Sequence, residues 1–409
     1  MDIKKSIKQT AKQLGINGKL KKEQVKAIND SLAGHDLLII APTSFGKSAI
    51  FQIPSIIKGG LTIVVVPTLS LLHDQTDRLH QMGISVGALA SDCISWDESD
   101  IQSALHKHGY LLLYTTPESL WKLDLSDLAV SQLVVDECHC TTSWGDGFRK
   151  AYLEIGDFVE QLPRRPQIIA LTATAPPADR SQVKRLLHMR HMKEHIVSLY
   201  RPKLTFSSYS FVSEEARQKK LKSLLKKHMK TLDGSCIIYC NVKRNAQAVY
   251  NLVRKWYPEQ TAICHSNLPH GERKRNETEF LRGHRRIMVA TSAFGMGVDK
   301  SDVRLIIHYN LPLSLIDYYQ QAGRAGRDGK KARCILLYKK SDYNTNRYVI
   351  EQNQEPAALE YALNALDAMK EYADTDQGCM VQRMLAALGE NRETPCGKCT
   401  CCQKARKQK

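Results

Sequence analysis

The residues Ala41-Pro42-Thr43-Ser44-Phe45-Gly46-Lys47-Ser48 follow an apolar run and open a stretch with helical spacing. A glycine-containing turn between a strand and a helix aims backbone N–H groups and a helix N-terminus at one place, which makes a phosphate site. In such a loop Lys47 bridges the β- and γ-phosphates of ATP and Ser48 ligates Mg2+, while Thr43, Ser44 and Gly46 line the cradle. Further along, Asp136-Glu137-Cys138-His139 closes a second apolar run. An acid at a strand tip is where α/β sheets place ligand-handling groups. Asp136 is expected in the Mg2+ shell. Glu137 is expected to orient and polarise the attacking water, since phosphoryl transfer depends on positioning and charge stabilisation. His139, directly after the acidic pair, is expected to sense the nucleotide state. Arg324 and Arg327 stand three apart among glycines in Gln320–Gly329. They present two guanidiniums to one anionic target, and Arg327 is the expected finger for the γ-phosphate, with Arg324 beside it.

A third constellation is metallic. Cys379, Cys396, Cys399 and Cys402 have the spacing C-x16-C-x2-C-x2-C. Short gaps let thiolates converge on one ion, and four soft sulfurs suit tetrahedral Zn2+. An iron–sulfur cluster is the rival reading, and Cys401 can exchange with Cys402 as the fourth ligand. The other cysteines are scattered, as in a protein with reduced thiols.

These groups need a frame. Apolar strand-sized runs occur at Leu37–Ala41, Thr62–Val66, Leu111–Thr115, Gln132–Asp136 and Gln167–Leu171, then at Cys236–Cys240, Thr261–His265, Arg286–Thr291, Arg304–Tyr309 and Arg333–Tyr338, with helical stretches between them. Strands alternating with helices predict parallel sheets covered on both faces, hence two tandem α/β domains. The gap near Tyr200-Arg201-Pro202-Lys203 reads as a linker. The boundaries expected are 1–203 for the first domain, 204–340 for the second and 341–409 for a helical, cysteine-bearing module, with Leu359–Leu388 helical. The segment Arg217–Lys230, RQKKLKSLLKKHMK, reads as a helix with a solvated charged face. The chain has 409 residues, of which 43% are apolar and 25% charged, a globular balance that excludes a disordered tail, a collagen-like repeat or a coiled-coil rod, and its net charge of +17 points to a polyanionic partner. No apolar stretch approaches a membrane span or a secretory signal.

The motifs together resemble a RecQ-family DNA helicase of superfamily 2. Leu20-Lys21-Lys22-Glu23-Gln24 resembles the family's adenine-reading motif, with Gln24 at the adenine-binding glutamine. The phosphate loop, Pro67–Leu72, Asp136–His139, Thr172–Ala175, Phe294–Lys300 with Asp299, and Gln320–Gly329 follow in the family's order. The segment Cys138–Phe148 with Arg149 resembles the aromatic-rich loop that couples DNA binding to ATP hydrolysis, so Trp144, Phe148 and Arg149 are candidate coupling residues; core packing is an equal reading for Phe148. The cysteine spacing is similar to that of the RecQ zinc module. The chain departs from the family's pattern at Lys21, where arginine is common, at Ile16 or a near neighbour, where the family often has an aromatic residue that stacks on adenine, and at Ser44-Phe45, whose bulk predicts a stiffer, partly shielded phosphate loop.

The resemblance implies two tandem RecA-like parallel-sheet domains followed by a small helical zinc-binding module, and a 3′-to-5′ helicase working in DNA repair or recombination. It would couple Mg-ATP hydrolysis in an inter-domain cleft to movement on single-stranded DNA and to unwinding of forked or tailed duplexes. A single-strand-binding protein or another repair factor is an implied partner, the state a monomer, and the place intracellular: nucleoid-associated cytoplasm in a bacterium, the nucleus in a eukaryote. In longer relatives a winged helix follows the zinc module, and its lack here predicts weak unwinding or a translocase or annealing role. Two further readings stand beside these: a non-catalytic zinc-dependent nucleic-acid-binding module, and an RNA helicase.

Overall fold

The computed structural model describes the chain except residues 1, 44, 94–95, 124, 126, 142–149, 175, 232, 293, 295–299, 355 and 408–409, and gives the backbone alone at 141, 150, 178, 356 and 357. The expected site residues Ser44, Trp144, Phe148, Arg149 and Asp299 lie outside the described residues. The chain divides into two compact units, the first ending at Ser198 and the second starting at Leu199.

The first unit holds β1 (Leu37–Ile40), β2 (Gly60–Val65), β3 (Val86–Leu89), β4 (Tyr110–Thr115), β5 (Val130–Val135), β6 (Gln167–Thr172) and β7 (Lys193–Ile196). They form one sheet in the order β3-β4-β2-β5-β6-β1-β7, and every pairing is parallel. The second unit holds β8 (Leu204–Phe211), β9 (Ser235–Tyr239), β10 (Thr261–Cys264), β11 (Ile287–Ala290), β12 (Val303–His308) and β13 (Ala332–Lys339), in the order β10-β11-β9-β12-β13-β8, again all parallel. The two α/β sheets agree with the fold class expected. The apolar runs become central strands because both their faces are covered: all four residues of β1 are buried, as are those of β11. Helices Lys22–Leu32 and Ser48–Lys58 supply Ile28, Ile50 and Ile53 to the core that holds Ile39 and Val64.

Three strands have no counterpart among the ten expected. All three lie at sheet edges, and two of them, β7 and β8, carry polar sequences, KEHI and LTFSSYSF. One-sided burial removes the continuous apolar run that marks a central strand. The third, β3, reads VGAL, too short and too small-residued to stand out. The β8 edge is covered by the C-terminal module: Ser208 Oγ donates to Ala373 O at 3.3 Å and Thr400 Oγ1 accepts from Ser208 N–H at 3.3 Å. Covering an edge removes a template for unwanted strand pairing.

The same unit is stapled by a buried ion network. Arg217, on helix Glu214–Lys230, is 5% exposed. It donates to Tyr309 O at 2.9 Å, to Asp342 Oδ2 at 3.0 Å and to Glu214 Oε2 at 2.6 Å. Asp342 also accepts from Asn310 and from Lys339 N–H. The end of β12 is thereby tied to helix Lys340–Asn353. Replacing Arg217 by Met would leave Asp342 charged and buried with one cation removed. A loss of about 3 kcal/mol is expected, read as a lower urea midpoint at unchanged slope.

His308 is a second device of this core. It is 1% exposed, stacks on Tyr239 at 5.5 Å and meets Tyr318 edge-on at 4.7 Å. Gln321 Oε1 lies 3.0 Å from its Nε2, which sets the neutral Nε2–H tautomer as donor. Burial pushes its pKa down to about 3. The unfolded chain takes up a proton as pH falls through about 6.5, while the folded ring does not. The stability from this histidine is therefore present above pH 6.5 and lost between 6.5 and about 3. At pH 5 the loss is about 2 kcal/mol. Denaturant melts of wild type and His308→Gln at pH 7.5 and 5 check this; the variant's loss should be smaller by about that amount.

The segment Leu359–Leu388, expected as one helical stretch, is two helices: Pro356–Asp374 and Met380–Ala387. The break contains Gly378 at φ +69° and sets Cys379 as the cap of the second helix. No helix among the described residues is long and apolar enough to cross a membrane.

Candidate nucleotide site and zinc centre

The strand order brings three loops together. The phosphate loop leaves β1, Thr172-Ala173-Thr174 closes β6, and Asp136–His139 leaves β5, and these strands are neighbours in the sheet. All three loops sit at the carboxyl ends of parallel strands, where α/β sheets bind ligands.

Lys47 caps helix Ser48–Lys58, and Ser48 is that helix's first residue. Lys47 Nζ donates to Ala41 O at 3.5 Å and lies 4.0 Å from Glu137 Oε1. Gly46 has φ +86°, and a Cβ there would come 2.7 Å from Gln24 Nε2; only glycine fits this turn. Gln24 is 7% exposed. Its Nε2 donates to Phe45 O and Gly46 O at 3.1 Å each, and its Oε1 accepts from Lys21 N–H at 2.8 Å. Gln24 thus ties helix Lys22–Leu32 to the phosphate loop. Phe45 is 6% exposed and joins the hydrophobic core, with Lys21 Nζ 4.4 Å from the ring centroid and donating to Phe45 O. The bulk of Phe45 therefore anchors the loop from below. Thr43 lies in the turn itself.

Asp136 N–H bonds to Val65 O and its Oδ1 accepts from Glu137 N–H at 2.9 Å. Buried Tyr152 donates to Asp136 O at 3.1 Å. Desolvation first, and the Glu137 carboxylate second, push the Asp136 carboxyl up to about 6, against the pull of Lys47. Glu137 has φ +49°, a left-handed backbone that costs a non-glycine residue about 1–3 kcal/mol and concentrates at functional sites. Its Oε2 is 3.2 Å from His139 Nδ1. His139 is 5% exposed and also lies 3.1 Å from Thr172 Oγ1, which donates to Thr174 O and accepts from Thr174 N–H. Glu137, His139 and Thr172–Thr174 form one connected chain of polar contacts leading to Lys47.

In the second unit Arg324 and Arg327 follow helix Leu315–Ala322 and precede β13. Both lie beside Tyr239, whose hydroxyl burial pushes up and these guanidiniums pull down. Arg201 donates to Gly323 O at 3.2 Å, and to Ala325 O and Gly326 O at 3.0 Å each. It clamps the turn that carries the two arginines. Sequence reading missed this role because Arg201 stands far away in a stretch that looked like a linker. Gly326, at φ +57°, would bring a Cβ within 2.6 Å of Lys330 O, so the turn needs glycine there.

The C-terminal module gathers Cys379, Cys396, Cys399 and Cys402, with all four Sγ atoms within 4.8 Å of one another. Tetrahedral zinc with Zn–S near 2.3 Å requires sulfurs spaced roughly 3.8 Å apart, so the residues fit the ion. Cys396 N–H points at Cys379 Sγ at 3.2 Å and Cys399 N–H at Cys396 Sγ at 3.3 Å. Cys401 turns away: it is 4% exposed and its Sγ meets Thr375 O at 3.7 Å.

Three family models match in series: "DEAD/DEAH box helicase" over residues 21–183, "Helicase conserved C-terminal domain" over 216–329 and "RecQ zinc-binding" over 340–403. The chain is 33% identical over 386 residues to the "ATP-dependent DNA helicase RecQ" of Haemophilus influenzae, covering 93% of this chain and 61% of that protein. It is 31% identical to the "Probable ATP-dependent DNA helicase RecS" of Bacillus subtilis, covering 82% of this chain and 68% of the relative. Against the first of these the chain spans about three fifths of the relative's length. Among solved structures, "S. cerevisiae Dbp5 bound to RNA and ADP BeF3" superposes with a TM-score of 0.62 at 18% identity, over 87% of this chain and 99% of that one, which is a likeness of fold. The aligned models, running from residue 21 to 403 and ending on the RecQ zinc-binding match, together with these relatives place the chain in the RecQ family of helicases.

Proposed function

We propose that the chain is an ATP-dependent DNA helicase that moves 3′ to 5′ on single-stranded DNA and opens forked or tailed duplexes. The reading rests on one observation: the phosphate-loop Lys47, Glu137, His139 and Thr172 are linked by contacts of 3.1–4.0 Å at the carboxyl ends of adjacent strands. A hydrolytic carboxylate connected to the loop of a neighbouring strand is what a motor needs, because nucleotide chemistry must be felt beyond the phosphate loop.

In this reading Lys47 grips the β- and γ-phosphates, and Thr43, Ser44 and Gly46 line the loop around them. Gln24 orders the loop and reads the base, with Asp299 contributing to nucleotide binding. Bound with ATP, Mg2+ supplies charge neutralisation, and Ser48 and Asp136 are the residues to hold it. Glu137 orients the attacking water and accepts its proton. Arg327, with Arg324, supplies positive charge to the γ-phosphate, and Arg201 positions their turn. Trp144, Phe148 and Arg149 couple DNA to this chemistry. Residues 1–203 and 204–340 are the two motor domains and 341–409 the zinc module, whose metal holds it folded. Single-stranded and forked or tailed DNA are the partners, with a single-strand-binding protein as an accessory, and the chain works as a monomer where cellular DNA is kept.

ATP hydrolysis should rise at least tenfold on adding single-stranded DNA and much less with RNA of the same length. Strand displacement should follow on 3′-tailed but not 5′-tailed duplexes. A turnover rate indifferent to DNA would overturn the proposal, and greater stimulation by RNA would move it to an RNA helicase.

A further inference from the structure

The first unit carries a second cluster of metal donors that the nucleotide chemistry does not use. His73 lies in helix Leu69–Gln81, and Asp92 and Cys93 lie in the turn after β3. Their ligand atoms all lie within 4.8 Å of one another. Asp92 Oδ2 is 3.0 Å from His73 Nε2, and its Oδ1 accepts from Cys93 Sγ at 3.6 Å. The frame is firm on both sides: Cys93 N–H bonds to Ala90 O at 3.3 Å, and its side chain packs on the hydrophobic core. The donors remain reachable, with the His73 and Asp92 side chains 43% and 50% exposed. Cys138 and Cys140, the other cysteines of this unit, are buried.

We propose that His73, Asp92 and Cys93 bind a borderline divalent ion of the zinc class through three protein donors, with an open fourth position facing solvent. One nitrogen, one oxygen and one sulfur exclude the hard ions Mg2+ and Ca2+ as preferred occupants and match Zn2+ or Co2+. Thiolate is the form of cysteine that ligates a metal, so ion binding here releases the Cys93 thiol proton to water. Three donors with an exposed fourth position make an exchangeable site, unlike the closed four-cysteine centre. The cluster also stands apart from the phosphate loop. In the sheet order β3 is five strands from β1, roughly 24 Å at ~4.8 Å per strand.

The full chain, saturated with zinc at the four-cysteine centre, is titrated with Co2+ and followed by visible absorption and metal analysis after dialysis. Wild type should take up one equivalent of Co2+ beyond the structural zinc, with a thiolate-to-cobalt band. Cys93→Ser should lose the band and bind at least about tenfold more weakly. His73→Ala should keep a weakened band. Circular dichroism checks that both variants are folded. Failure of wild type to bind the extra equivalent, or an unchanged extra equivalent in both variants, would overturn the assignment.

Discussion

Glu137→Gln should lower DNA-stimulated ATP turnover by about 10³-fold, or about 4 kcal/mol, while changing nucleotide affinity by less than about threefold. The substitution keeps the volume and planar shape of the side chain and removes its charge and basicity. Three contacts set the expectation. Lys47 Nζ lies 4.0 Å from one carboxylate oxygen and His139 Nδ1 3.2 Å from the other, and the backbone is held at φ +49° by the surrounding loop. A residue kept in a strained conformation between two donors is placed there for what its carboxylate does. In the proposed function the cradle for phosphate is Lys47, Gly46 and the start of helix Ser48–Lys58, which the substitution leaves alone. Binding and turnover should therefore separate. Single-turnover hydrolysis and equilibrium binding of a fluorescent ATP analogue measure the two independently. A turnover within tenfold of wild type would remove Glu137 from the chemistry. His139→Asn gives a graded companion: it breaks the link to Thr172 and spares the carboxylate, so turnover should fall by about tenfold with much of the DNA stimulation lost.

How much of this was legible in the sequence depends on what each residue does locally. Central strands announce themselves because burial on both faces demands apolar runs, and all ten runs named from the sequence became strands. The edge strands β7 and β8 did not, since polar residues face water or, at Ser208, a hydrogen-bond partner distant in sequence. Motif residues are legible for a similar reason: Lys47 and Asp136 sit next to the glycine turn or strand that positions them. Arg201 was not legible, because its partners at Gly323–Gly326 are reached only through the fold. Gln24 was read as a base contact, and the structure adds that it is a tie to the phosphate loop. Phe45 was read as bulk that stiffens or partly shields the loop, and the structure adds that the ring turns inward and is buried. In both cases the residue type was informative and the direction of the side chain was not. The left-handed backbone of Glu137 has no signature in composition at all.

Cys402→Ser should abolish stoichiometric zinc, and Cys401→Ser should keep it. The two residues are adjacent and chemically identical, so sequence spacing alone leaves them interchangeable. The fold separates them: Cys402 Sγ joins Cys379, Cys396 and Cys399 within 4.8 Å, while Cys401 is directed at Thr375 O. Helix Thr400–Lys407 presents them on different faces, since neighbouring residues on a helix point roughly 100° apart. The consequence of losing the ion is large because the four ligands tie the loop that bears Cys396 and Cys399 to the start of one helix and to the next helix. Cys396 and Cys399 lie in or beside a loop between helices Met380–Ala387 and Thr400–Lys407, and structural zinc contributes about 10–16 kcal/mol of folding free energy in small modules. Without it the segment from about residue 375 should open, uncovering buried Met380, Met384 and Leu385 and the β8 edge that Thr400 and Ala373 protect. Limited proteolysis should then cut Cys402→Ser within this segment and leave Cys401→Ser and wild type intact. Zinc released by a thiol-modifying reagent should read about one equivalent, none and one for wild type, Cys402→Ser and Cys401→Ser. Retention of zinc by Cys402→Ser together with its loss in Cys401→Ser would reverse the ligand assignment, and a visible iron–sulfur absorption in place of zinc would replace the metal.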